Sequence, residues 1–462
     1  MTTAPAPRAQ DLVEHALACS TADDCVVVVR ETSSANLRWA NNTLTTNGVM
    51  TSVDVTAISF VGTATASAAG SATTARDVAE LVRVADGAAR DAAAAEDAAE
   101  LVRDVVSTDW DEPTVPTGIS VYDEVAPALG EAFGRAGKAG RVLYGFVNHE
   151  TTTSYLGSST GLRLRHVQPT GHVGCTAKSA DLTRSAWVGA ATRDFTDVDP
   201  LAIDAELERR LAWAERSVDL PAGRYDTILP PTAVADLMID AYWSAGARVA
   251  HEGQSVYSSR AGGTRIGQRV AREGVHLFSD PALPGSECLP FVLATRSGNE
   301  TSVFDNGLPL GRTDWVRDGE LSALVQTRHT AAMTAQPVTP YVDNLALSVA
   351  GATGSVDDLV TGTERGLLLT CLWYIREVDP QTLLLTGLTR DGVYLVEDGE
   401  ITGAVNNFRF NESPVDLLNR FTHASATVPA FSREWGDDYF SRTAMPALRV
   451  PDFNMSSVSQ AR

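Results

Sequence analysis

The chain has 462 residues, 44% of them hydrophobic and 21% charged, which is the balance of a folded globular protein and not of a disordered or fibrous one. Its 58 acidic and 37 basic side chains leave a net charge of −21, a surface that repels phosphate backbones and anionic lipid and so argues against nucleic acid or membrane as a direct partner. The length exceeds one ordinary core and predicts two domains.

Residues 11–18 have helical spacing, and the β-branched run Cys25-Val-Val-Val-Val-Arg30 predicts a strand. Asn41-Asn42 is a turn signal between Leu37-Arg-Trp-Ala40 and Leu44-Thr-Thr46, and Val53 to Phe60 alternates with period two, so antiparallel strands follow. Residues 74–106 are rich in Ala, Glu, Asp, Leu and Arg with Gly87 as the one break, which predicts two consecutive helices. A second strand-rich stretch covers residues 141–195, and residues 204–216 predict a charged helix.

Turn residues at Leu220-Pro-Ala-Gly-Arg224 place a domain boundary, and Pro230-Pro231 opens a helix over residues 233–249. The remainder reads as short strands and turns, with Asp391-Gly392 and Asp398-Gly399 as hairpin signals around Val393-Tyr-Leu-Val396. The expected class is α+β. An N-terminal α/β domain with antiparallel strands and packed helices spans residues 1–222, and a mainly antiparallel β domain spans residues 223–462.

The longest apolar runs, residues 26–29 and 367–369, fall far short of the roughly 18 residues that span a bilayer. The N-terminus has no cationic start, apolar stretch and small-residue cleavage site, so a cytoplasmic protein is expected. Cys19, Cys25, Cys175, Cys288 and Cys371 are scattered without a C-x-x-C pair, which fits reduced, mostly buried thiols.

Three patterns could carry chemistry. Gly157-Ser-Ser-Thr-Gly161 matches the G-x-S-x-G elbow around Ser159, but the alternating residues after it predict a strand where that elbow needs a helix. Gly262-Gly-Thr-Arg-Ile-Gly267 is glycine-rich without a phosphate-loop lysine, and predicts a substrate-facing loop whose Arg260, Arg265 and Arg269 could meet peptide carboxylates. His251-Glu252 is the first half of a zinc-peptidase signature, with Ser255 and Val256 where a second imidazole would stand. His276, Cys288 and His423 stand singly at no recognised ligand spacing.

Several blocks resemble the TldD/PmbA family, whose members were once named modulators of DNA gyrase. They include Leu37-Arg-Trp-Ala-Asn-Asn42, Ser158-Ser-Thr-Gly-Leu-Arg-Leu-Arg165, Leu229-Pro-Pro-Thr-Ala-Val-Ala-Asp236, Arg265-Ile-Gly-Gln-Arg-Val270, Phe304-Asp-Asn-Gly307 and Asp379-Pro-Gln-Thr382. The resemblance implies a heterodimeric peptidase for unfolded or small peptides, one subunit of the TldD type with zinc and one of the PmbA/TldE type without it. The TldD-type motif is H-E-x-x-x-H, completed by a cysteine near the C-terminus. The matching positions here are His251-Glu252-Gly-Gln-Ser-Val256, and the matching C-terminal stretch, residues 435–444, has no thiol.

The resemblance therefore implies a non-catalytic or regulatory subunit with no metal and no catalytic residue of its own, His251 and Glu252 being vestiges. Its partner would be a zinc-bearing TldD-type subunit, in a cytoplasmic hetero-oligomer that takes peptide substrates. The alternatives are a stand-alone peptide- or partner-binding protein and an independent metallopeptidase built on His251 and Glu252.

Overall fold

The computed structural model describes residues 7–436 and 442–459. Six antiparallel strands form the first sheet: β1 (Asp24–Ala40), β2 (Thr43–Val61), β3 (Ala64–Ser71), β4 (Arg141–Ser158), β5 (Arg163–Ser179) and β6 (Ser185–Thr192), in the order β3-β2-β1-β4-β5-β6. Asn41 and Asn42 take φ of 51° and 58°, the left-handed pair that a two-residue hairpin with the right twist requires. The Asn42 side chain then accepts from the Leu143 N–H at 2.7 Å and donates to the Arg141 carbonyl at 2.9 Å, which ties the hairpin to β4.

Successive residues of β1 point to opposite faces. Val27 and Val29 pack under α1 (Ala9–Cys19) and α2 (Ala75–Asp91), while Ala35, Leu37 and Trp39 pack under α3 (Val125–Lys138) and α4 (Pro200–Trp213). Val26 and Val28 face the other way, against Leu101, Phe291 and Phe304. Because both faces are covered, the strand reads as a continuous apolar run.

The second helix expected within residues 74–106 does not form. α2 runs through Gly87 to Asp91, and the chain then turns extended at Ala92. Ala94 bridges to Ala64, the Ala95 N–H donates to the Thr63 carbonyl at 2.9 Å, and Ala95, Ala98, Ala99, Leu101 and Val102 cover the sheet face opposite the helices. Helix propensity differences of a few tenths of a kcal/mol per residue yield to that burial. The Gly157–Gly161 segment is a turn from β4 into β5, and the Ser159 hydroxyl donates to Asp24 Oδ1 at 2.7 Å and accepts from the Cys25 N–H at 3.0 Å, so it locks the turn.

Two further sheets, of six and ten strands, are built from residues after 216. Pairing is mainly antiparallel, with parallel contacts between Arg365–Leu369 and Gly223–Leu229, Leu345–Val349 and Thr443–Met445, and Glu400–Val405 and Ser217–Val218. Asp398 and Gly399, at φ 50° and 81°, make the expected hairpin between Val393–Glu397 and Glu400–Val405. Asp391-Gly392 does not make one: Leu384–Thr389 pairs with Leu372–Asp379 and Phe408–Glu412, and the chain crosses over to reach Val393.

The helix expected over residues 233–249 is two helices, α5 (Pro231–Trp243) and α6 (Ala247–His251). α5 is not amphipathic. Its residues from Ala233 to Ile239, with Ala241 and Tyr242, are all buried, in one core with Leu277 and Leu347 of the six-stranded sheet and Leu367, Leu369 and Phe410 of the ten-stranded one. A helix apolar all round belongs in a core. The fold is α+β, and among the described residues no helix is long and apolar enough to cross a membrane.

Candidate functional site

Pro231 at the first turn of α5 gives up an N–H that no helical carbonyl needs. The helix carries two ionisable groups, Asp236 and Asp240, one turn apart. Asp236 is fully buried; its Oδ1 accepts from the Ser432 hydroxyl at 2.6 Å and the Glu434 N–H at 3.0 Å, and its Oδ2 has no partner. Burial pushes the Asp236 carboxyl up to about 8 and the Asp240 carboxyl up to about 7, the latter also repelled by Glu434 and Glu377.

A turn over residues 432–436 lies on these carboxylates. The Trp435 N–H donates to Ser432 Oγ at 3.0 Å, its indole N–H donates to the Asp236 carbonyl at 3.1 Å, and its ring meets Trp243 edge-on at 5.1 Å. Glu434 reaches away from α5 to the strand Leu372–Asp379, which bulges where Tyr374 takes φ 51°. The Tyr374 and Ile375 N–H groups, freed from the ladder there, both donate to the Glu434 carboxylate at 3.0 Å, and Arg376 stands 3.6 Å from it. One carboxylate is thus buried with an unpartnered oxygen, while its neighbour accepts from two backbone N–H groups. That contrast of environments marks functional sites more often than ordinary cores.

The His251-Glu252 pair sits at the exposed end of α6. Glu252 receives Arg248 Nε at 3.2 Å, and Arg248 also pairs with Glu96. The helix stops there because Gly253 turns left-handed at φ 82°, and Val256 and Tyr257 then enter the main core at 8% and 4% exposure. The Tyr257 hydroxyl donates to the Ala241 carbonyl at 3.1 Å, which fixes that entry.

A resident zinc needs at least three protein ligands converging on one point. His251 faces solvent, position 256 faces the core and offers no donor atom, and among the described residues no group of three or more His, Cys, Asp or Glu side chains is placed to hold a metal. The residues present do not fit a resident metal at His251. Residues 437–441, within the stretch where the family's cysteine falls, lie outside the described residues and contain no thiol in the sequence.

The glycine-rich loop packs beside His251: a methyl group added at Gly263 would lie 3.9 Å from its Nδ1. Arg265 donates to the carbonyls of Val256 at 3.0 Å and Arg269 at 3.1 Å, and Arg269 donates to the Asp318 carbonyl at 3.3 Å. Arg265 thus holds the loop's neighbouring backbone and Arg269 ties it to the turn at Asp318, while Arg260 is exposed at its tip. All five cysteines are free; Cys25, Cys175 and Cys288 are buried and pushed up to about 12, and burial raises Cys371 further.

Sequence reasoning found His251, Glu252 and the loop but passed over Asp240, Ser432 and Glu434, and quoted Asp236 and Trp435 only within longer motifs. Two carboxylates one turn apart on an otherwise apolar helix were the available signal.

Residues 222–457 match the family model described as the PmbA/TldA metallopeptidase C-terminal domain. No curated protein matches the chain. The fold is similar to that of TldE from Thermococcus kodakarensis, at a TM-score of 0.77 and 14% identity over 96% of this chain and 99% of that one. It is also similar to proteins described as modulators of DNA gyrase. That of Thermotoga maritima gives a TM-score of 0.74 and 16% identity over 93% and 95% of the two chains. That of Bacteroides thetaiotaomicron gives 0.72 and 13% over 97% and 98%. With the family match extending over residues 222–457, just over half of its length, this chain belongs to the metallopeptidase-related PmbA/TldD family.

Proposed function

We propose that this chain is the metal-free subunit of a peptidase complex, pairing with a zinc-bearing TldD-type subunit and contributing architecture and peptide binding to the hydrolysis of unfolded or small peptides. The observation that carries this reading is the separation of His251 from position 256: the chain leaves the helix at Gly253, and Val256 is buried in the core. A vestigial motif folded this way retains one exposed imidazole, which cannot hold zinc tightly. The overall likeness to a TldE structure supports the same reading.

On this reading residues 1–222 and 223–462 are two domains, and the loop carrying Arg260, Arg265 and Arg269 faces the chamber closed by the partner. Five free cysteines suit a reducing, cytoplasmic setting. The test is zinc content and cleavage of an unfolded peptide by the chain alone, by a TldD-type partner alone and by the two mixed. The reading expects no stoichiometric zinc and no cleavage by this chain, with cleavage on mixing. Zinc-dependent cleavage by the isolated chain would overturn it in favour of an independent enzyme, and failure to bind the partner would favour a stand-alone binding protein.

A further inference from the structure

Beside the buried carboxylates lies a cation, Arg433, whose guanidinium meets no hydrogen-bond acceptor among the described residues. The guanidinium carbon of Arg433 stands 3.8 Å from the Trp373 ring centroid and 5.1 Å from that of Trp187. Its Nε is buried with no acceptor, and among the described residues its terminal nitrogens make no hydrogen bond or ion pair. The Trp373 indole N–H is also buried without a partner, with only the weak acceptor Cys371 Sγ beside it. Two indole rings therefore hold the guanidinium in place before any ligand arrives, and its buried Nε has no acceptor among the described residues.

Arg433 lines a cavity of about 170 Å³ with Trp187, Phe431, Phe146, Tyr144 and Thr176. The placement of two of the lining rings depends on one glycine of the first sheet. A Cβ at Gly189 would stand 2.3 Å from the Trp187 ring and 2.9 Å from Phe431, so only glycine lets both rings settle there. Gly174 forms part of the wall, where an added methyl group would make only ordinary contacts, at 3.6 Å from Trp187 Nε1 and 3.8 Å from Phe146.

The charge around the cavity selects the ligand. Glu434 is engaged by two backbone N–H groups and by Arg376 and makes no ion pair with Arg433. Among the described residues Arg433 has no ion-pair partner, and a single guanidinium near the buried Asp236 matches a monoanion better than a dianion. A planar guanidinium edge matches a carboxylate with two parallel N–H···O bonds.

We propose that Arg433, clamped between Trp187 and Trp373, is a docking site for a single carboxylate, supplied by the C-terminus or an acidic side chain of a peptide. This deepens the subunit reading and rests on it for the ligand being a peptide. It requires no partner chain and no metal.

The experiment is a titration of the isolated full chain, read by tryptophan fluorescence and calorimetry. The probes are N-acetyl-trialanine, its C-terminal amide, and N-acetyl-Ala-Glu-Ala amide. At least one carboxylate-bearing peptide should bind tenfold or more tighter than the plain amide. Preference for the free acid identifies the terminus as the source, and preference for the glutamyl amide identifies the side chain. Arg433→Gln should abolish the difference, and Arg433→Lys, which keeps charge without the fork, should restore part of it. Equal binding of all three peptides by the wild-type chain, no binding of any, or phosphate competing better than acetate overturns the proposal whether or not the variants fold. A lost carboxylate preference leaves peptidase reconstitution by the mixed subunits untouched, and failed reconstitution leaves this binding result standing.

Discussion

Ser432 Oγ lies 2.6 Å from Asp236 Oδ1, a contact between residues 196 apart in sequence that fastens the C-terminal turn to the most buried helix of the molecule. Around this contact the buried Asp236 carboxyl, raised by its burial, meets a short turn in which Glu434 is held by two backbone N–H groups and Arg433 lies against two indole rings.

The first prediction follows from the raised Asp236 carboxyl. Unfolded, it ionises near the ordinary value of 3.8; folded, near 8. Between those values the folded state binds the extra proton, so stability is full below the lower value and falls as pH rises toward the upper, by about 1.4 kcal/mol per pH unit for one group. Asp240, raised to about 7, adds to the slope in the lower part of that window. Urea unfolding from pH 5 to 8 should show the fall, and Asp236→Asn should flatten most of it. Parallel profiles for the two proteins would contradict the assignment.

Restoring the missing imidazole will not restore a metal site. Val256→His places a ring in the core while His251 stays exposed beyond the left-handed Gly253. The variant should lose about 1–3 kcal/mol of stability, the penalty for burying an unsatisfied polar group. It should retain no zinc after dialysis. Stoichiometric retention would show that the segment can refold into a ligating helix.

The arginines of the glycine-rich loop divide into two kinds. Arg265→Ala removes two bonds to backbone carbonyls and should destabilise the chain by about 1–3 kcal/mol. Arg260→Ala, at an exposed tip, should change stability by less than about 0.5 kcal/mol. If the loop faces peptide, Arg260→Ala should instead weaken cleavage by the mixed complex. Thermal and urea unfolding of both variants, with the cleavage assay, separates these effects.

Thiol labelling checks the packing independently. Cys25, Cys175, Cys288 and Cys371 are buried and held as thiols, whereas Cys19 is partly exposed with Sγ 3.5 Å from His15 Nε2. In the native protein one thiol should react quickly with a disulfide reagent, and four more only after unfolding. Two or more fast thiols would place one of the buried cysteines at the surface.

What the sequence reveals about this fold is what is local. Asn41-Asn42 specifies its hairpin and Pro230-Pro231 its helix start because the backbone geometry resides in those residues. Residues 92–106 mislead because alanine favours a helix, whereas the uncovered sheet face below them settles the outcome. The site is mostly non-local. Ser432, Arg433 and Glu434 acquire meaning only against Asp236, Trp187 and Tyr374 from distant segments, and a buried carboxylate looks in sequence like any solvated one. The His251 motif was legible as incomplete, but the turn at Gly253 that separates its two halves was not.

The measurement that bears most directly on the central claim is peptide cleavage by the mixed subunits when this chain carries both His251→Ala and Glu252→Gln. If this chain shapes the chamber without taking part in hydrolysis, the rate stays within about twofold of the unsubstituted complex, with unchanged zinc content. Loss of cleavage together with loss of zinc would contradict the account and place part of the metal site on this subunit.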